Sequence, residues 1–396
     1  MMNVYLDNNA TTMVAPEVFA AMQPFFGEFY GNPSSMHRFG GQVGRHVDRA
    51  RQQVADLLGA EPDEIIFTAG GSEGDNLAIK GALEAMKSGR RHIITTRVEH
   101  PAVRVTCRWL RDHGFRLTEI PVDREGTLDM ERLEEALTPD TALVSVMWAN
   151  NETGVVFPIE HIARLAKARG IVVHTDAVQA AGKLPIDLKQ VPVDLLTISG
   201  HKLHAPKGVG ALYVRRGTRI TPQIHGGHQE GGKRAGTENV PGIVGLGRAA
   251  ELAAETMAEE NDRVRALRDR LEQGLLQNCA GAQVNGRNRL PNTLNISFEF
   301  IEGESILLML DEVGVAASSG SACSSGSLEP SHVLRAMGVP FTLAHGSVRF
   351  SLSRYNTEQE IDHVIEHMPG IVTRLREISP FVGGAAAWAG KSTCNV

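Results

Sequence analysis

Residues 141–179 read TALVSVMWANNETGVVFPIEHIARLAKARGIVVHTDAVQ. The apolar run Thr141–Trp148 reads as a strand, and the Asn-Asn-Glu-Thr-Gly after it is turn chemistry. Pro158–Arg169 reads as a helix and Ile171–His174 as a second strand. The same alternation continues on both sides. Upstream, strands at Glu64–Phe67, His92–Thr95 and Arg116–Ile120 precede helices at Ser72–Lys87, Pro101–Asp112 and Asp129–Leu137. Downstream, Asp194–Ser199 and Val209–Val214 add two more strands. This pattern is that of an α/β fold, a mostly parallel seven-stranded sheet flanked by helices. Ligands of such sheets sit at the carboxyl ends of the strands.

The rhythm changes after Pro241. A long helical stretch (Val244–Leu276) leads to a strand (Thr293–Phe298), a helix (Glu304–Val313) and a Gly/Ser-rich loop. A helix (Ser331–Met337), a strand (Val348–Leu352) and a last helix (Thr357–Glu377) follow. A chain of 396 residues is long for one core. We expect a large domain over residues 15–258 and a smaller α+β domain from 1–14 and 259–380, with a flexible tail at 381–396. The net charge of −6 argues against nucleic acid as the main partner. No apolar run approaches the roughly 20 residues of a membrane span, and no leader peptide is visible, so a cytoplasmic location is expected. The cysteines, Cys107, Cys279, Cys323 and Cys394, lack disulfide-framework or zinc-site spacing.

Several motifs fall just past strand ends. In Ser199-Gly200-His201-Lys202, the lysine stands where it can form a Schiff base with pyridoxal phosphate and later move protons; a lone solvated lysine is the plainer reading. In His174-Thr175-Asp176-Ala177-Val178-Gln179, Asp176 suits a protonated pyridine nitrogen and Gln179 a phenolic oxygen. A helix cap explains that Asp equally well. Gly70-Gly71-Ser72 opens a helix and suits a phosphate, though a tight turn does too. His100, between a strand and Pro101, suits ring stacking and proton transfer, or simply helix entry. Asn151 can bond cofactor or substrate, or serve the turn. Arg349, inside an apolar strand, wants a carboxylate from a substrate or from a structural ion pair. Cys323 lies in Ser318-Ser319-Gly320-Ser321-Ala322-Cys323-Ser324-Ser325-Gly326, a run with little to pack. A thiol there suits a nucleophile on a mobile tether, or is incidental to a surface loop.

Taken together, VSVMWANNETG, HTDAVQ, SGHKLHAPKGVG, GGHQ, RAGTEN, ASSGSAC and SVRFSLSR resemble the cysteine desulfurases of the NifS/IscS type. These belong to the class V aminotransferase group, fold-type I pyridoxal phosphate-dependent transferases. The resemblance runs from Tyr5 to about Pro380, and GSLEPSHVLRAMG is most similar to the nitrogen-fixation NifS branch. It implies that Lys202 carries pyridoxal 5'-phosphate, with Gly71, Ser72, Ser199 and His201 at the phosphate. Thr237 would reach the phosphate of a neighbouring subunit, hence a homodimer. Asp176 would pair with the ring nitrogen, Gln179 would bond the phenolic oxygen and His100 would stack on the ring. Asn151 and Arg349 would hold the carboxylate of L-cysteine. Cys323 would accept sulfur as a persulfide for an iron–sulfur scaffold protein, with nitrogenase maturation favoured, and is the only residue named for transient iron–sulfur ligation. Relatives usually carry Thr at the position of Ser72, which keeps the hydroxyl. A selenocysteine lyase, another C–S lyase or an aminotransferase on the same scaffold is the alternative.

Overall fold

The computed structural model describes residues 2–319 and 330–379. Cys323, Cys394 and the expected tail at 381–396 lie outside the described residues.

The chain runs β1 (Val4–Tyr5), α1 (Pro16–Met22), α2 (Arg38–Leu58), β2 (Ile65–Thr68), α3 (Gly71–Ala85), β3 (His92–Thr96), α4 (Pro101–Asp112) and β4 (Arg116–Ile120). It continues through α5 (Met130–Ala136), β5 (Thr141–Ser145), α6 (Ile159–Lys167), β6 (Val172–Asp176), β7 (Leu195–Ser199), β8 (Gly210–Val214) and α7 (Val240–Asn278). The last part holds β9 (Ala282–Val284), β10 (Thr293–Phe298), α8 (Gly303–Glu312), β11 (Val315–Ala316), α9 (His332–Ala336), α10 (Phe341–His345), β12 (Ser347–Ser351) and α11 (Glu358–Ile378).

The seven-stranded sheet has the order β2-β8-β7-β6-β5-β3-β4. Pairs from β7 through β4 are parallel, while β8 runs antiparallel to both its neighbours. Helices cover both faces, so central strands such as β5 are buried at every residue and read as continuous apolar runs. Leu143 in β5 has no exposed surface; truncating such a residue to alanine costs about 2–5 kcal/mol. On α6, Ile159, Ile162, Ala163 and Ala166 recur at helical spacing and form its buried stripe.

A smaller antiparallel sheet has the order β12-β10-β9, and β1 pairs in parallel with β11. A separate apolar cluster packs here, including Leu6, Leu294, Phe298, Phe350 and Ile361. Helix α7 serves both cores. Val240, Ile243, Leu246, Ala250 and Ala253 face the large one, and Val264, Leu267, Leu271 and Leu275 the small one. We propose the domain division at residues 258–259, between these two sets. Asn239 caps the start of α7 by accepting from the Gly242 amide, and Thr357 with Glu360 forms a capping box at α11.

Candidate active site

The carboxyl ends of five strands deliver the candidate residues. β2 leads to Gly70 and α3, β3 to His100, β5 to Asn151, β6 to Asp176, and β7 to Ser199 and Lys202. The turn into α3 depends on Gly70, whose φ of 150° and ψ of −172° no side-chain-bearing residue adopts comfortably. One turn on, a Cβ on Gly74 would meet Thr197 Cγ2 at 2.6 Å. Helix α3 therefore lies flush against β7, with its N-terminal amides at the sheet edge. A cleft of about 490 Å³ opens there, lined by Thr11, Gly70, Gly71, Ser72, Ser199 and His201 among others.

Lys202 ends the short turn after β7, and its Nζ donates to the carbonyls of Asn9 (2.6 Å) and Ala10 (2.5 Å). His201 Nδ1 lies 3.2 Å from Thr11 Oγ1. Burial, and next the Lys202 charge, push the His201 ring down to about 4, so it is neutral at pH 7.

Asp176 is 5% exposed, and its Oδ1 accepts the Val178 amide at 2.9 Å. Burial first, then the Asp75 carboxyl, push it up to about 7, against the pull of His100. The Val178 hydrogen bond closes a turn, and no helix starts there among the described residues, so the helix-cap reading of Asp176 does not hold. His100 caps α4, its Nδ1 accepting the Ala102 amide at 3.2 Å. The neutral ring therefore carries its proton on Nε2. Burial, the largest influence, holds this imidazole below its ordinary value. Single ligand atoms of Asp75, His100 and Asp176 lie within 4.8 Å of one another.

Gln179 Nε2 donates to the Asn9 carbonyl at 3.0 Å, and Oε1 is buried without a hydrogen bond among the described residues. The Asn9 carbonyl fixes that amide orientation, leaving one N–H for another acceptor. Arg349 Nη1 donates to the Asn151 carbonyl at 2.9 Å and Nη2 to Asp7 at 2.6 Å. Thr237 is exposed and outside the cleft lining. Cys323 lies outside the described residues. Of the described cysteines, Cys107 and Cys279 are both buried, and burial raises both thiols, Cys279 to about 11. Neither is a thiolate at neutral pH.

Motif reading gives no role to Asp75, Glu99 or His174. Each is essentially fully buried: Asp75 1% exposed, Glu99 and His174 0%. His174 alternates with Asp176 along β6 and so shares its face, which is the one sequence signal that marks it. Its Nδ1 lies 2.8 Å from Ser145 Oγ and its Nε2 3.1 Å from Thr197 Oγ1.

The described family model for aminotransferase class-V matches residues 4–364. A cysteine desulfurase of Gluconacetobacter diazotrophicus is 61% identical over 388 residues, covering 97% of each chain. The cysteine desulfurase NifS of Azotobacter vinelandii is 60% identical over 387 residues, 97% of this chain and 96% of that one. A solved NifS-like protein superposes with a TM-score of 0.89 at 42% identity, covering 94% of this chain and all of the other. With the sheet order, the strand-end site and these likenesses in agreement, the chain belongs to the class-V aminotransferase family.

Proposed function

We propose that this chain is a cysteine desulfurase, converting L-cysteine to L-alanine while the substrate sulfur passes to the Cys323 thiol as a persulfide. The observation that carries the reading is that the chain after β3, β6 and β7 brings His100, Asp176 and Lys202 close enough for the charges of Asp176 and Lys202 to act on the His100 ring, on the same sheet edge as the N-terminus of α3.

The residues present fit pyridoxal phosphate. The cleft at α3 offers backbone amides and the Ser72 and Ser199 side chains to a phosphate. Asp176 is a buried carboxyl that gains its charge when a protonated ring nitrogen arrives. Gln179 keeps a donor for the phenolic oxygen. When bound, the cofactor supplies an electron sink for the carbanion at the substrate Cα.

Around that group the chain's own residues divide the work. Lys202 takes the Cα proton and returns a proton in forming alanine. His100 offers its Nε2–H from the N-terminus of α4, and Nδ1 cannot accept a proton without giving up its cap. Arg349 and Asn151 orient the substrate carboxylate. Cys323 attacks the substrate sulfur as a thiolate, so that L-cysteine and Cys–SH become L-alanine and Cys–S–SH, with no oxidant required. The burial of Cys107 and Cys279 supports assigning that step to Cys323.

The family resemblance extends the reading to a homodimer in which Thr237 reaches the neighbouring phosphate, and to an iron–sulfur scaffold protein as acceptor in the cytoplasm. Exposed large apolar residues near the N-terminus, Phe19, Phe26, Tyr30 and Met36, support a subunit interface there. Among the described residues no helix is long and apolar enough to cross a membrane.

Incubation with L-cysteine without reductant, followed by an alanine assay and mass mapping of the Cys323 peptide, tests the reading. Alanine plus added sulfur on Cys323 is expected. Unmodified Cys323, with turnover unchanged in Cys323→Ala, would move the function to a lyase that releases sulfide.

A further inference from the structure

Behind Asp176 lies a second carboxyl that the proposed reaction does not use. Asp75 sits in the first turns of α3, 1% exposed, held between helix and sheet by the close approach at Gly74. Thr197 hydrogen-bonds its side chain, while its Oδ1 has no hydrogen-bond partner among the described residues and lies 3.5 Å from His174 Nε2. An oxygen of Asp75 and one of Asp176 lie within 4.8 Å of each other. Two buried carboxylates at that separation do not both ionise readily; one retains the proton.

The surroundings decide which. Asp176 has the Val178 amide on one oxygen and His100 close by. Among the described residues Asp75 has only the Thr197 hydroxyl, and an ionised Oδ1 would stand buried without a hydrogen bond. Glu99, the third buried acid nearby, has its own donors, Thr96 Oγ1 at 2.7 Å and the Met147 amide at 3.1 Å. His174 on the facing strand is kept neutral by burial, so it brings no charge to Asp75.

We propose that Asp75 is a positioning residue that holds the proton of the buried carboxyl pair, so that the negative charge rests on Asp176, facing the cofactor ring nitrogen. As a neutral acid it can turn its O–H toward His174 Nε2 and thereby fixes the ring between Ser145 and Thr197. The proposal rests on the functional reading above, since only a cofactor with a protonated ring nitrogen gives the charge on Asp176 a purpose.

The test compares Asp75→Asn and Asp75→Ala with the unaltered chain, loaded with pyridoxal phosphate. An amide mimics a neutral acid in shape and hydrogen bonding but cannot mimic a carboxylate. Asp75→Asn should therefore keep the visible band of the bound cofactor and the pH midpoint of that band. Asp75→Ala should release the cofactor about tenfold faster, because Thr197 and His174 lose a buried partner. A protonated-carboxyl infrared band in the unaltered chain should vanish in Asp75→Asn. An Asn variant that shifts the pH midpoint as Asp176→Asn does, or leaves the infrared band intact, would overturn the proposal. So would an Ala variant that retains cofactor like the unaltered chain. If Asp75→Ala does not fold, the infrared and midpoint comparison of Asp75→Asn still decides. An unaltered chain that takes up no cofactor would instead overturn the functional reading, and it would be recognised by its lack of colour.

Discussion

Arg349 is tied to Asp7 at 2.6 Å and to the Asn151 carbonyl at 2.9 Å, and it is 3% exposed. A buried guanidinium without a carboxylate partner would be costly, and Asp7 supplies that partner. Its Nε, buried without a partner among the described residues, marks it as incompletely satisfied. The structural ion pair of the plainer sequence reading is present; the substrate role is the proposal that the next variant tests. Arg349→Lys loses the planar fork and should raise the KM for L-cysteine on the order of tenfold or more, with a smaller effect on kcat. Steady-state alanine formation measures the split. An unchanged KM would remove Arg349 from substrate binding.

Ser72 stands at the second residue of α3 and lines the cleft. A hydroxyl bonded to an anion contributes about 1.5–3 kcal/mol, so Ser72→Ala should lose pyridoxal phosphate on the order of ten- to a hundredfold faster. Ser72→Thr, which keeps the hydroxyl, should retain it. The rate of loss on dilution into a phosphate-free buffer reads both. Equal retention in all three would place the phosphate elsewhere.

Among the described residues, Lys202 is the amine whose Nζ reaches the carbonyls of Asn9 and Ala10 beside the cleft. Lys202→Ala should still take up cofactor through α3, but without the covalent band, and alanine formation should fall by about 10²–10⁴. Absorption and turnover together check this. A variant with the covalent band intact would point to another lysine.

Much of this architecture was legible because its signals are local. Helix α4 and strands β4 and β10 have the bounds read from the sequence, since strand ends and a Pro-led helix are written in neighbouring residues. Strand β5 ends at Ser145, short of Trp148, because the chain turns there while staying buried. Helix α2 goes unread in the sequence, although Val43, Val47, Ala50, Val54 and Leu58 recur at helical spacing; Gly40, Gly41 and Gly44, with several arginines, dilute that stripe. The pairing of β1 with β11 joins two-residue strands over 300 positions apart, and no local pattern carries such a contact. The same is true of the buried acids. Asp75, Glu99 and Asp176 meet only once α3, α4 and β6 are packed, so motif reading finds the residue at the strand end and not the two behind it.

Those acids give the cofactor-free chain a pH-dependent stability. Glu99 is pushed up to about 8, chiefly by burial, with Asp176 and Asp75 adding and the Thr96 and Met147 donors opposing. Asp75, Asp176 and Glu152 are raised to about 7, again chiefly by burial. In the unfolded chain these groups titrate near 4. Between the two values the folded chain holds protons that the unfolded chain has released. Their contribution is therefore full at low pH and is lost as pH rises through 7 to 8. Burial shifts His92 and His174 down to about 4, so their contribution is full above about 6.5 and is lost as pH falls toward 4. The two sets oppose each other below pH 6.5, and the carboxyls act without that opposition from 6.5 to 8. Thermal stability should fall across that window, by about 1.4 kcal/mol per pH unit for each group that stays protonated in the folded chain. Glu99→Gln should flatten the slope. Melting temperature against pH, on cofactor-free protein, measures it; an identical slope in the variant would mean that Glu99 is already ionised when folded.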